Sequence, residues 1–447
     1  MATETKLASL LGNARQRLRE VRDWVTEHSS EIIYAIVFAI VFAWPAARFI
    51  DPPKHDPYII HVVESAVTDY ETKKVFEGLV RKWSTNPPMI GDAPVQLRLT
   101  TLREDTPGTA VLTAEEILRA PDTLMVIGHL PSGLTEASLP VYLGARPQVP
   151  YISTTASDDD LLAQCDAKCY GNDAFVPLIQ SAPTNSDQGE SAVRFEIENG
   201  KRHFLIVTEE DPESDTYLSG MVAAYRRAVY NVYKGMGATI VGNTKIGAPP
   251  SERQIREWNP DCVLYAGRAG AALTLLHSLT GKNLLAVFSD AVIETRVSDD
   301  KLMDFTAARF TYPADAADYN RHINVYGVDA VSIAVQIIGD LNRRGSDLRN
   351  QLKSLVHIET VLDARRNLVR VMEENSDSRT WYACETGTAC VFDKHTRPNG
   401  MYYVTRFNGM FHVWQLRGGG GSEMSDIDGW HPPKVIAPQE APGKAQK

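Results

Sequence analysis

The residues whose types and spacing could do chemistry are the hydroxyls of two short loops, Ser132 in the first and Ser153, Thr154, Thr155 and Ser157 in the second. A short apolar run ending at Ile127 stops at Gly128, and a small polar loop with Pro131, Ser132 and Gly133 follows. A helical pattern starts near Thr135 and ends near Arg146 and Pro147. Val149–Ile152 is a second apolar run, closing on Ser153, Thr154, Thr155, Ala156 and Ser157. Strand, hydroxyl loop, helix, strand, hydroxyl loop is one parallel βαβ unit. Both loops then lie at the carboxyl ends of their strands, on the rim of an open α/β sheet where ligands sit. Hydroxyls, loop N–H groups and a helix N-terminus together suit an anion such as a carboxylate.

Other chemistry is less well supported. The chain has no G-x-S-x-G, H-E-x-x-H, Walker or G-x-G-x-x-G pattern, and its eleven histidines are scattered, so no enzyme and no cofactor are expected. His129 reads as packed or capping rather than catalytic. The acidic runs Asp158–Asp160 and Glu209–Asp215 lack the spacing and glycine of a calcium loop and read as solvated loops. Of five cysteines, Cys165 with Cys169 and Cys384 with Cys390 form two local pairs in polar contexts, while Cys262 sits in an apolar run. The pairs could be short disulfides in an oxidising compartment. Zinc competes as a reading, but neither pair has C-x2-C spacing, so no metal is expected.

The elements that must position the two loops alternate along the chain. Strand patterns at Tyr58–Val63, Val95–Thr100, His203–Thr208, Thr239–Thr244, Cys262–Ala266 and Leu284–Phe288 are separated by helical ones at Tyr70–Trp83, Thr113–Arg119, Thr216–Met236 and Ala269–Leu279. Asn185-Ser186-Asp187-Gln188-Gly189 is a helix-start signal. Such a rhythm predicts an α/β protein with parallel sheets covered by helices, and the strand count predicts two sheets. Phe310–Pro313 reads as a return crossover, followed by helices Asp315–Tyr326, Val328–Asn342 and Arg349–Leu355. Thr380–Phe392 and Met401–Trp414 are strand-like.

At 447 residues the chain is long enough for two or three domains, and 43% apolar with 23% charged residues is ordinary for a folded protein. A net charge of −10 argues against a nucleic-acid surface. Ile32–Ala47 is apolar without a charge, and Phe49 and Ile50 extend it toward the ~20 residues of a spanning helix. Five Lys and Arg residues precede it and only Arg48 and Lys54 follow closely. The expectation is an uncleaved signal-anchor over 32–50, with residues 1–31 cytoplasmic and the rest extracytoplasmic at the inner membrane.

Several segments in order resemble the type I periplasmic binding proteins, in particular the branched-chain amino-acid (leucine/isoleucine/valine) binding branch. They are Gly128-His129-Leu130 with Ser132, Pro150–Ser157, Ser186-Asp187-Gln188-Gly189, Tyr265-Ala266-Gly267, Tyr326-Gly327-Val328-Asp329-Ala330-Val331, and Thr386-Gly387 to Phe392-Asp393. The resemblance covers about residues 57–416. It implies two Rossmann-like parallel sheets joined by three crossovers and closing on a small ligand, here preceded by the transmembrane helix. The lobes would be 57–183 with return helices 310–378, and 184–309 with closing strands 379–416; 417–447, rich in Gly and Pro, would be a disordered tail. It further implies that Ser132, Thr155 and Ser157 hold a ligand carboxylate, that Asp290 pairs with the ligand ammonium, and that Tyr217 closes over it. Arg268 stands where the family usually has a tyrosine, adding a cation that would favour an anionic side chain or pair with Asp290. Glu64 near the cleft would repel a carboxylate. The implied partners are an amino-acid-like small molecule and a membrane partner, either a signalling protein or the permease of an ABC-type transporter.

Overall fold

Seven buried residues, Tyr58–Glu64, form β1, the strand around which the first sheet is laid. A strand buried on both faces needs no polar alternation, and YIIHVVE has none. In the computed structural model the described residues are 56–66, 70–91, 93–129, 131–165, 169, 174–211, 215–279, 284–289, 308–313, 325–352, 361–376, 380–383, 389–397, 401–406, 411–416 and 424–426. β1 pairs in parallel with β3 (Ala93–Thr101) on one side and β4 (Thr123–Gly128) on the other, Val62 lying opposite Leu99 and Ile127. With β2 (Met89–Ile90), β5 (Tyr151–Ser153), β6 (Phe175–Gln180), β12 (Thr380–Ala383), β13 (Ala389–Thr396) and β14 (Tyr402–Arg406), the sheet has nine strands in the order β12-β13-β14-β6-β5-β4-β1-β3-β2.

Helices cover both faces. α1 (Tyr70–Thr85), α8 (Val325–Leu352) and α9 (Val361–Ser376) bury Phe76, Trp83, Ile333, Ile337, Leu368 and Val371 against Ile60, Val62 and Ile127. α2 (Pro107–Arg119) and α3 (Ser132–Gly144) bury Ala110, Ile117, Leu139, Tyr142 and Leu143 against Val63, Val126 and Tyr151 on the other face. Neighbours Val62 and Val63 thus face opposite cores, as strand geometry requires. Each such side chain contributes about 1.5–3 kcal/mol on burial, so truncating Ile127 to Ala would cost about 2–5 kcal/mol.

The second sheet has seven strands in the order β16-β15-β11-β10-β9-β7-β8, comprising β7 (His203–Thr208), β8 (Thr239–Lys245), β9 (Cys262–Ala266), β10 (Leu285–Phe288), β11 (Ala308–Pro313), β15 (Phe411–Leu416) and β16 (Met424–Asp426). α4 (Asn185–Glu198) and α5 (Thr216–Arg227) pack on it through Val193, Met221 and Tyr225, over Phe204 and Ile206. A Cβ on Gly189 would lie 2.9 Å from Ala224 Cβ, so this glycine sets how closely α4 meets α5. α6 (Glu252–Trp258) opens on a capping box in which Ser251 and Gln254 exchange side-chain and backbone bonds, and α7 (Ala269–Leu279) follows β9.

The sequence-based boundaries need four corrections. Residues 379–416 do not all close the second lobe: β14 pairs in parallel with β6, taking β12 and β13 into the first sheet, and only β15 joins β11. The edge of β6 is open after the first pass of the chain, and strand patterning alone does not say which open edge a late strand will fill. Phe310–Pro313 is part of β11, hydrogen-bonded beside β10, so the second lobe runs to Pro313 rather than 309. The helix from Val325 runs unbroken for 28 residues through Gly345, where an ending at Asn342 was expected; a glycine costs about 1 kcal/mol and does not by itself end a helix. Within the expected tail, Met424–Asp426 forms β16 against β15.

Cys165 and Cys169 are not joined as a disulfide: both are buried thiols in the apolar cluster under α2 and α3, packing as small hydrophobic side chains. Cys384, and with it the second candidate pair, lies outside the described residues, as does the Ile32–Ala47 run. Among the described residues no helix is long and apolar enough to cross a membrane.

Candidate functional site

The first wall of the cleft begins where β4 ends. Gly128 has φ 123°, and a Cβ there would overlap the Val63 carbonyl, so only glycine lets the chain turn off the sheet this close to β1. His129 follows, fully buried, its Nε2 3.1 Å from the Tyr142 hydroxyl and its ring stacked 6.4 Å from Tyr151. Burial pushes its pKa down to about 3, so it is a neutral packing residue. Thr135 donates its hydroxyl to the His129 carbonyl and fixes the entry to α3. Ser132 opens that helix, 3% exposed, behind an N-cap (Pro131) that makes no side-chain bond, so no cap competes for the first-turn N–H groups.

The second hydroxyl loop is more finely divided than the sequence implied. Ser153 and Thr154 are fully buried, and their hydroxyls have no hydrogen-bond partner among the described residues. Thr155 is half-buried at the loop's turn. Ser157 donates its hydroxyl to Asn185 Oδ1 at 2.8 Å and accepts the Asn185 N–H on its carbonyl at 2.6 Å. Ser157 therefore ties the first lobe to the opening residue of α4. Ser153 and Thr154 belong to the hydroxyl loop but not to the positions that the family resemblance assigns to the ligand, which is why they are not among the sequence candidates.

The opposite wall lies at the carboxyl ends of β7, β9 and β10. Asp215 caps α5, accepting the Leu218 N–H at 3.1 Å on one oxygen and Arg268 Nη2 at 2.6 Å on the other. The Arg268 backbone N–H donates to Glu209 Oε2 at 2.8 Å, and its Nη1 lies 3.9 Å from the same oxygen. Its guanidinium stands 5.9 Å over the Tyr217 ring. Burial would lower the Arg268 pKa, but the Asp215 hydrogen bond and the charges of Asp215 and Glu209 outweigh it and raise the pKa. Tyr217 donates to Ser289 Oγ at 2.7 Å, and Ser289 donates to the Gly267 carbonyl at 3.4 Å. Tyr217 and Arg268 are thus brought together, whereas Asp290 lies outside the described residues. Arg268 is engaged by Asp215 and Glu209, the acids that read as a solvated loop. The two walls approach at their helix starts: a Cβ on Gly133 would lie 3.7 Å from Thr216 Oγ1.

Behind the cleft the other acidic run also has structure. Asp159 accepts the Ser186 N–H at 2.9 Å, the Ser186 hydroxyl, and Arg227 Nη2 at 2.6 Å; Asp160 pairs with Arg397 at 3.0 Å. Glu136 of α3 is buried beside this run, with Oε2 accepting from Gln164 at 3.3 Å. Burial, with Asp158 and Asp160 adding to it, pushes its carboxyl up to about 8. Glu64 is also fully buried, and burial lifts it to about 7 against the pull of Lys73 and the Thr101 hydroxyl. A neutral Glu64 would not repel a carboxylate below that pH. Among the described residues no group of three or more His, Cys, Asp and Glu could hold a metal ion.

No family model and no curated protein matches the sequence. Solved structures do match. An ABC-transporter substrate-binding protein of Desulfitobacterium hafniense in complex with leucine superposes with a TM-score of 0.59 at 12% identity, covering 83% of this chain and 100% of that one. A type 1 periplasmic binding protein of Bordetella pertussis gives 0.59 at 16% identity, again over 83% of this chain and 100% of its own. A solute-binding protein of an R. palustris ABC transporter in complex with benzoate gives 0.54 at 14% identity, over 83% of this chain and 95% of that one. Two lobes built on mixed sheets with parallel centres, superposing over most of the chain on proteins of this kind, give it the type I periplasmic-binding-protein fold shared by the branched-chain amino-acid substrate-binding proteins.

Proposed function

We propose that this chain is a solute-binding receptor whose two lobes close on a small, amino-acid-like carboxylate. The observation that carries the reading is the meeting of the uncapped start of α3, bearing Ser132, with the start of α5, bearing Thr216 and Tyr217. Ser132, Thr155 and the first-turn N–H groups of α3 take the carboxylate, aided by the helix dipole. Ser157 has its proton on Asn185 and so gives the carboxylate no donor; it holds in place the loop that carries Thr155. Tyr217 and Arg268 line the other wall, and by the family resemblance Asp290 supplies the acid for the ligand ammonium. A ligand touching both walls selects the closed state, and a partner reads that state. In this reading Ile32–Ala47 anchors the protein, with the lobes outside the membrane, and no chemical transformation takes place. A second reading, supply of a bound solute to an ABC-type permease, is favoured by the company the fold keeps, since neighbours complexed with leucine and with benzoate are ABC-transporter binding proteins.

Thermal-shift titration of the detergent-solubilised full chain with amino acids and aromatic acids tests the core of the proposal. A saturable rise in Tm with at least one compound is expected; a cooperatively melting protein that no compound stabilises would sink both readings. Carbonate extraction of membranes tests the anchor, which predicts that the full-length chain stays in the pellet. Co-purification of a permease with the full chain would favour supply over signalling.

A further inference from the structure

The Asp158–Asp160 run is wedged between the lobes. Its second-lobe side is close-packed: a Cβ on Gly220 of α5 would lie 2.9 Å from Asp158 Oδ2 and would overlap the side-chain amide of Asn185, the first residue of α4. Asp159 adds its bonds to Ser186 and Arg227, also second-lobe groups. On the first-lobe side Asp160 accepts from Arg397 at 3.0 Å. Glu136, the one charged residue of α3, lies beside the run, 3% exposed, its Oε1 without a partner among the described residues. Asp158 has Oδ1 on the Asp160 N–H at 2.9 Å and no cation on it among the described residues. His395 and Tyr403, whose rings meet at 5.0 Å, approach the run from β13 and β14; burial lowers the histidine pKa and raises that of the tyrosine, so both stay neutral. On the sheet side of α3, His129 is packed against Tyr142 and Tyr151. Of the remaining groups on α2 and α5, Glu115, Glu116, Arg119 and Arg226 are exposed, and Tyr217 and Tyr225 are bonded to Ser289 and the Tyr265 carbonyl. With Glu136 neutral, three aspartates face two arginines and the joint carries one negative charge in excess. Ionising Glu136 doubles that excess in a place closed to water.

We propose that this joint is a proton-sensitive hinge: while Glu136 is neutral the aspartate run stays seated on Gly220 and the lobes stay together, and when Glu136 gives its proton to solvent the repulsion drives Asp158 off the second lobe and favours the open cleft. Opening relieves the crowding of Glu136 by Asp158 and Asp160 and admits water, so Glu136 is the stronger acid in the open form. Burial first, and those two charges with it, bring its value in the closed form up to about 8. The open-to-closed ratio therefore rises with pH, by up to about tenfold per unit, and levels off above about pH 8. The hinge acts with or without a solute; only its effect on affinity, which falls as the open form gains, rests on the solute-binding reading.

The test is a distance, read without ligand. Spin labels carried on noncanonical residues at Leu112 of α2 and at Val232 beyond α5, 61% and 49% exposed, report the separation of the lobes in the solubilised full chain by pulsed electron-spin resonance across the pH range. A second, longer distance should grow in as pH rises and stop growing above about pH 8. Glu136→Gln keeps an acceptor for Gln164 and should hold the short distance throughout. Asp158→Asn removes a charge that helps keep Glu136 neutral, so its longer distance should grow less and level off at lower pH, which a merely loosened joint would not do. Glu64→Gln, at the other buried glutamate with a raised pKa, on β1 near Lys73 and Glu77, should behave as the native chain. A distance independent of pH in the native chain, or the same growth in a folded Glu136→Gln, overturns the hinge and leaves the solute-binding reading standing. Growth lost in Glu64→Gln and kept in Glu136→Gln would place the proton on β1 and overturn it equally. A protein that no compound stabilises but whose longer distance follows pH as expected upholds the hinge and removes solute binding alone.

Discussion

Ser132 and Ser157 carry the same hydroxyl at the same sheet rim, yet their surroundings assign them different work. Ser132 begins a helix whose N-cap offers no side chain, so its hydroxyl adds to N–H groups already pointed at the cleft. Replacing it with alanine removes one hydrogen bond to a charged ligand, which predicts about a tenfold loss of carboxylate affinity with little change in the Tm of the ligand-free protein. Ser157 instead spends its proton on Asn185, whose side chain is fully buried at the start of α4. Ser157→Ala leaves that amide oxygen without its donor, and the expected cost is about 1–3 kcal/mol in chemical denaturation. Should Ser157→Ala cost ligand affinity but no stability, the hydroxyl belongs to the ligand and not to the joint between lobes. The candidate carboxylate end was legible because hydroxyl loops after apolar runs are local patterns. The Ser157–Asn185 bond spans 28 positions and the Arg268–Asp215 pair spans 53, and nothing local announces such partners.

Among elements, the acidic run Asp158–Asp160 behaves as a joint. Asp159 is bound by both Ser186 groups at the start of α4 and by Arg227 at the end of α5. The arginine is about half-exposed, so the ion pair alone contributes no more than about 1 kcal/mol. The Ser186 bonds are part-buried and would be lost together with the acid. Asp159→Ala should therefore cost about 2 kcal/mol while Arg227→Ala costs under about 1, and a double-mutant cycle should assign the excess to Ser186. Equal costs for the two single variants would mean that the ion pair, and not the helix start, is what Asp159 holds. Helix starts were also where the sequence spoke most clearly. The α4 start at Asn185 was readable from its Ser-Asp-Gln pattern, and Thr184 and Asp187 form its capping box. The start of α2 was placed six positions late, at Thr113 instead of Pro107, although Thr106 accepts the Thr109 N–H and a proline occupies the first turn. The order of strands in the sheets was the least legible level, since β14 beside β6 is a pairing across more than two hundred residues and depends on which edge is open.

At the scale of the whole molecule, four of the buried ionisable groups among the described residues set opposed dependences of stability on pH. His61 on β1, lying between Thr100 and Thr123, has its pKa lowered from 6.5 to about 4 by burial first and by Arg98 second; burial takes His129 to about 3. The unfolded chain takes up these protons near 6.5 and the folded chain does not, so each histidine subtracts stability as pH falls from 6.5 toward its folded value. Glu64 and Glu136 are displaced upward from 4.5, to about 7 and about 8. The unfolded chain releases these protons near 4.5 and the folded chain retains them, so each glutamate subtracts stability as pH rises from 4.5 toward its folded value. Between 4.5 and 6.5 the unfolded state binds more protons at the two histidines and fewer at the two glutamates, and the opposed slopes cancel. Of these four groups, only the glutamates act above 6.5 and only the histidines below 4.5. The expectation is a flat Tm from about pH 4.5 to 6.5, a fall on the alkaline side that continues to about pH 8, and a separate fall on the acid side. Glu136→Gln keeps an acceptor for Gln164 while removing the charge, so it should leave only the Glu64 part of the alkaline arm, ending near pH 7, make Tm rise with pH between 4.5 and 6.5, and leave the acid arm unchanged. Tm measured across pH 4 to 9 for the two proteins decides it: an alkaline arm of the same depth in Glu136→Gln would mean that the carboxyl is already ionised in the fold, next to Asp158 and Asp160.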